Sequence, residues 1–158
     1  MKKNLDSYGE TLFHLFNFRS RQFRDSRSMI GVDYESFIIL STVGAHFLTH
    51  NTKQGSNWDG VWETPRQEHV GEFYSKKKLT IFAVAHLLDI PKETVRRKIE
   101  MLKKKKFISY TSQLGLLPTD KIEDIMKPFA KRELLSLAKF LQALKKHKAL
   151  DELLNLKD

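Results

Sequence analysis

Apolar residues recur at spacings of three and four along most of this chain, and the rhythm breaks most sharply in the interval that follows Leu79. Ile81, Val84, Ala85 and Leu88 form one stripe, which is the pattern of a short helix buried on one side. Asp89-Ile90-Pro91 interrupts it. Proline suits a first helical turn, because its missing N–H would have no intrahelical partner there, so a second helix is expected from about Pro91. Glu93 in its first turn lies at the positive end of the helix dipole. At about 100° per residue, Val95, Ile99 and Leu102 share a face with Pro91. Lys92, Glu93, Arg96, Arg97, Glu100, Lys103 and Lys104 fall on the opposite arc. One side of this helix is built to pack and the other to face outward.

The period then changes. Phe107-Ile108-Ser109-Tyr110-Thr111 is rich in β-formers, Gln113-Leu114-Gly115 suits a tight turn, and Leu116-Leu117-Pro118 reads as a short return strand. Two helices followed by a hairpin make a winged helix. The expected fold is mainly α, a winged helix-turn-helix with N- and C-terminal helical extensions. Three regions are expected: residues 1–65, helical, for a core, dimer or effector role; 66–119, the winged helix-turn-helix; and 120–158, helices suited to dimerisation.

The extensions are read from the same rules. Ser7-Tyr8-Gly9-Glu10 has capping-box character, ahead of Leu12, Phe13, Leu15 and Phe16. Arg19, Arg21, Arg24 and Arg27 read as a solvated helix end. Asp33 is expected to cap a second helix carrying Phe37, Ile38, Leu40, Val43, Phe47 and Leu48. Residues 51–65 combine turn-forming residues with Trp58 and Trp62 and read as a loop whose tryptophans either anchor it on the body, the favoured reading, or line an effector pocket. Asp120-Lys121-Ile122-Glu123 opens a short helix to about Met126, ended near Pro128. A longer helix is expected from about Phe129 to His147, with Leu134, Leu137, Ala138, Leu141 and Leu144 in one stripe. That stripe needs a cover, either the N-terminal helices of the same chain or a second subunit, and the second subunit is favoured, since a winged helix usually reads two half-sites from a symmetric dimer.

Charge sharpens the picture. The chain carries a net +9, and the interval 76–106 alone holds eleven Lys or Arg against Asp89, Glu93 and Glu100, which leaves the rest close to neutral. Such concentration on one motif is the footprint of a phosphate-binding surface. Pro91-Lys92-Glu93-Thr94-Val95-Arg96-Arg97 also resembles the recognition helix of the cyclic-AMP receptor protein family, with its Ser-Arg-Glu-Thr-Val-x-Arg pattern. It is similar as well to winged-helix regulators carrying Ile-Pro-Arg-Glu-Thr-Val-Arg-Arg. The match covers about 30 residues and continues in register through Leu102 and Phe107-Ile108. The resemblance implies that Lys92, Glu93 and Arg97 read base edges. Their chemistry agrees: Lys and Arg donate to guanine, and Glu accepts from cytosine. Lys76, Lys77, Lys78, Thr94, Arg96, Lys103 and Gln113 are then expected at the DNA backbone. Asp89 stands where the motif often has Gly in a left-handed conformation, which Asp tolerates better than most residues. Nothing upstream resembles a cyclic-nucleotide-binding barrel. The order of elements resembles MarR-type dimeric regulators in topology alone.

Other chemistry is thin. With no Cys there is no disulfide or thiolate metal site. His46 and His50, four apart on an expected helix, are a candidate metal pair, with Asp59, His69 and Glu72 nearby in sequence. Ordinary helix and loop roles are the favoured reading and no metal is expected, because such a site needs three or four convergent ligands. No phosphate-binding glycine loop, nucleophile triad or paired carboxylate motif is present, so an enzyme is not expected, and neither is a cofactor. There is no long apolar run and no signal-like N-terminus, so a cytoplasmic protein off the membrane is expected. The partners expected are double-stranded DNA and a second copy of the chain, the effector being open. The rival readings are a protein-interaction adaptor and an architectural protein that coats DNA without reading it.

Overall fold

The computed structural model describes residues 6–51 and 78–157, and the side chains of residues 50 and 51 fall outside it. The described residues are mainly helical. They comprise α1 (Ser7–Asp25), a π-helical turn (Ser26–Ile30), α2 (Tyr34–Asn51), α3 (Ile81–Leu88), α4 (Lys92–Lys104), β1 (Ile108–Thr111), β2 (Gly115–Pro118), α5 (Asp120–Lys146) and α6 (Ala149–Leu154). They fall into two compact units, one of residues 32–127 and one of residues 1–31 with 128–158. No helix among them is long and apolar enough to cross a membrane. The loop expected around Trp58 and Trp62 lies outside the described residues, as do Lys76, Lys77, Asp59, His69 and Glu72.

In the unit of residues 32–127, Asp33 caps α2 as its sequence predicts. Its Oδ1 accepts from the Ser36 N–H at 2.9 Å and its Oδ2 from the Ser36 hydroxyl at 3.0 Å. Ile39, Val43, Val84, Val95, Ile99, Leu102 and Leu116 are fully buried, so α2, α3, α4 and the hairpin share one core. Phe47 packs with Leu117 and Leu114, joining the end of α2 to β2. The antiparallel register pairs Ile108 with Pro118 and Thr111 with Gly115. Gly115 has a φ of +72° and begins the return strand. A side chain there would press its Cβ onto the Leu79 carbonyl oxygen. That carbonyl accepts from the Leu116 N–H at 2.9 Å, so the chain entering α3 lies against the hairpin, and only glycine permits the approach.

The other unit is built on α1, the later part of α5, and α6. Two sequence expectations are corrected here. The cap of α1 is Asp6, whose carboxylate accepts from the Gly9 N–H at 2.7 Å. Ser7 is already helical, and its hydroxyl bonds Glu152 instead. Pro128 does not end a helix either: α5 continues past it, and the division between the two units falls at that residue. A mid-helix proline removes one backbone hydrogen bond at a cost of about 3 kcal/mol. Burial of the adjacent Phe129, 2% exposed, offsets it. Asp25 is a buried carboxylate, and Arg132 holds it at 2.9 Å. Arg19, Arg24 and Arg27 are solvent-exposed as expected, Arg27 lying over the Phe23 ring at 5.9 Å. In the stripe of α5, Leu144 is buried but Leu134, Leu137 and Leu141 are exposed.

Candidate nucleic-acid interface

The site is built on the turn between α3 and α4. Thr80 caps α3 by accepting from the Ala83 N–H at 3.1 Å. The helix ends at Asp89, which adopts the left-handed conformation at φ 52°, ψ 43°. The Ile90 N–H then closes on the Ala85 carbonyl at 3.0 Å. Asp89 thus takes the backbone role that glycine often fills in such turns. Pro91 sits outside the helix at φ −53°, ψ 132° and is exposed. Its placement on the buried face is therefore corrected: a residue with an extended ψ does not follow the helical wheel.

Val95, Ile99 and Leu102 are each fully buried on one side of α4. Lys92, Glu93, Arg96, Arg97 and Lys104 are exposed on the other, with Glu100, Lys103 and Thr94 partly covered. The outer face is not a set of independent charges. Arg96 donates two hydrogen bonds to Glu93, Nε to Oε2 at 2.9 Å and Nη2 to Oε1 at 2.5 Å. These bonds hold the Glu93 carboxyl below its ordinary value, slight desolvation opposing, with the charges of Arg96 and Arg97 adding to the shift. The same contacts raise Arg96. Lys103 lies 3.3 Å from Glu100. Lys92 and Arg97 make no hydrogen bond or ion pair among the described residues, although the charge of Arg97 is felt by Glu93.

The hairpin supplies the flank of the site. Lys78, expected at a DNA backbone, donates its ammonium to the Ser112 carbonyl at 2.6 Å and so is committed to the hairpin turn. Gln113 is exposed at that turn. Lys105 and Lys121 both lie over the Phe107 ring, at 5.9 and 5.5 Å, and Lys121 donates to the Lys105 carbonyl at 2.9 Å. Of the four consecutive lysines 103–106, one is paired and one covers an aromatic ring. The basic surface is therefore smaller than the count of charges implies. His46 is half-buried and has interaction partners, while its expected metal partner His50 has a side chain outside the described residues.

Lys98 is a cation that the sequence left unassigned. It lies off the outer arc of α4, 2.9 Å from Asp33 and 3.4 Å from Glu35, and so ties α4 to the start of α2. The Asp33 hydrogen bond raises its pKa against desolvation, with Glu35 adding to the effect. Burial on its own would raise the Asp33 carboxyl, but the bonds from Lys98 and Ser36 bring it below 3.8. The Asp33 contribution to stability is therefore present above the unfolded value near 3.8 and lost as pH falls through the lower folded value. The Lys98 contribution is fully present below 10.5 and lost as pH rises through its raised folded value. Lys98→Met should reduce stability by less than about 1 kcal/mol, because all three partners are partly exposed. The difference from the parent should be flat across neutral pH and shrink at both extremes. Urea unfolding at several pH values tests this, and a deficit that persists at strongly acidic pH would contradict the assignment.

No family model, curated protein or solved structure matches this chain.

Proposed function

We propose that this chain is a winged helix-turn-helix protein that binds double-stranded DNA in a sequence-dependent way and acts as a transcription regulator. The observation that carries the reading is the division of α4. Its inner side is locked into the core by Val95, Ile99 and Leu102, while Lys92 and Arg97 stand exposed on its outer side with no hydrogen bond or ion pair among the described residues. A helix about 20 Å long, fixed on one face and cationic on the other, suits the width of a major groove. In this reading the neighbouring hairpin, with Gln113 at its turn, serves as the wing. Lys92 and Arg97 donate to guanine edges in this reading, and Glu93 meets cytosine when Arg96 turns to a phosphate. Thr94, Lys103 and Lys104 lie at the DNA backbone beside them. It is a binding function and calls for no catalytic residue or cofactor.

The reading includes a homodimer formed through the unit of residues 1–31 and 128–158. Phe13, Phe16, Leu134 and Leu135 are each more than half exposed there, apolar area that water does not favour. A second copy covers it and brings a second reading helix to the next half-site.

Selection of duplexes from a random pool by the purified chain, followed by sequencing, tests the proposal. A pseudo-palindrome with half-sites about 10 base pairs apart is the expected result. Retention of DNA without enrichment would replace it with architectural coating, and no retention at near-physiological salt with the adaptor reading.

A further inference from the structure

Glu10, His14 and His147 bring one ligand atom each to within 4.8 Å of one another, all inside the unit of residues 1–31 and 128–158. Glu10 and His14 are four apart on α1 and so share a face. His147 arrives from the turn between α5 and α6, where Lys148 takes a left-handed conformation at φ 60° and reverses the chain. His14 Nε2 stands 3.3 Å from Glu10 Oε2, and His147 Nδ1 stands 3.8 Å from Glu10 Oε1. The two imidazole rings are 5.7 Å apart.

A second observation turns this cluster into a site. His14 Nε2 is buried from water yet has no hydrogen-bond partner, although the carboxylate oxygen is close. A buried polar nitrogen without a partner is disfavoured, and here two further metal-ligating groups, Glu10 and His147, stand close by. Zinc bonds of about 2.0–2.2 Å in tetrahedral geometry place ligand atoms roughly 3.3–3.5 Å apart. The 3.3 Å separation already satisfies this, whereas the 3.8 Å one is to the other carboxylate oxygen and the three ligand atoms converge only to within 4.8 Å, so the partly exposed His147 side chain must swing inward to complete the set. Two imidazoles and a carboxylate form a donor set for a borderline divalent metal, less suited to Ca²⁺ or Mg²⁺, which prefer oxygen ligands.

We infer that Glu10, His14 and His147 form a zinc site that fastens α1 to the α5–α6 turn. His14 binds through Nε2, His147 through Nδ1 and Glu10 through its carboxylate, and water fills the fourth position. His147 is the most exposed of the three, 40% at its side chain, and gives the ion its path in. The site lies apart from the α3–α4 turn, and its occupancy is measured without DNA, so it stands or falls independently of the DNA-binding proposal.

The test is titration of the chelator-stripped full chain with ZnCl₂ by calorimetry and with CoCl₂ by visible absorption. One ion per chain, a tetrahedral Co²⁺ spectrum and a rise in thermal midpoint with zinc are expected. His14→Gln and His147→Gln should each weaken binding by at least about tenfold. His147→Gln alters a partly exposed side chain, so circular dichroism should show its fold retained. The pair His46→Gln and His50→Gln should leave binding unchanged. Absence of uptake would overturn the site, leaving the three residues as a histidine–carboxylate charge cluster. Uptake that survives His14→Gln and His147→Gln, or disappears with the His46 and His50 changes, would also overturn it.

Discussion

Ile99→Ala should destabilise the protein by about 2–5 kcal/mol. Ile99 is fully buried, between Val95 and Leu102 on the inner face of α4, and each of those neighbours is fully buried as well. Removing its branched side chain deletes transfer free energy and leaves a cavity that the surrounding helices and hairpin can only partly close. Against a typical domain stability of about 5–15 kcal/mol, such a loss lowers the urea midpoint strongly. Leu87 makes the matched control. It is apolar and lies on the adjoining helix, but it is 68% exposed, so Leu87→Ala should change stability by no more than about 0.5 kcal/mol. Far-UV circular dichroism in urea reads both. An Ile99→Ala loss under about 1 kcal/mol would mean that the inner face of α4 is not clamped. The outer face would then have no fixed position from which to read anything.

The parts of the fold visible in the sequence are those set by local rules. The stripe of Val84 and Ala85, the interruption at Asp89-Ile90-Pro91 and the stripe of Val95, Ile99 and Leu102 each follow from helical periodicity and proline geometry. The hairpin was legible because β-formers flank a turn ending in Gly115. Features that depend on distant partners were not. Nothing local says that Asp6 rather than Ser7 caps α1, since Ser7 is drawn off by Glu152, far along the chain. Nor does local pattern keep a helix intact through Pro128, because the compensating burial of Phe129 is tertiary. In the candidate site, the exposed arc of α4 follows from helical periodicity, and its internal pairing has a local signal too. Glu93 and Arg96 are three apart, a spacing that favours an ion pair on any helix. The metal-ligating cluster was half legible: Glu10 and His14 have i, i+4 spacing, but only the α5–α6 turn brings in His147.

Arg97→Ala is expected to cost about 1–3 kcal/mol on the preferred duplex, roughly a 5- to 150-fold loss of affinity, and to relax the preference at one base pair. This follows from the proposed reading together with the state of the two adjacent arginines. Arg96 spends two hydrogen bonds on Glu93 and must leave that carboxylate before it can serve DNA. Arg97 is exposed and has no such commitment among the described residues, so its five-donor fork is available to the paired acceptors of a guanine edge. Arg96→Ala should behave differently. It removes a cation and frees the Glu93 carboxylate near the phosphates, so affinity should fall by a similar factor on every duplex. Binding isotherms of both variants on the preferred duplex and on a set of single-base changes separate the two roles. A loss for Arg97→Ala that is equal on all duplexes would assign that residue to the phosphate backbone and leave Lys92 to carry base readout. A sequence-dependent loss for Arg96→Ala would show that the Glu93 pair itself discriminates between bases.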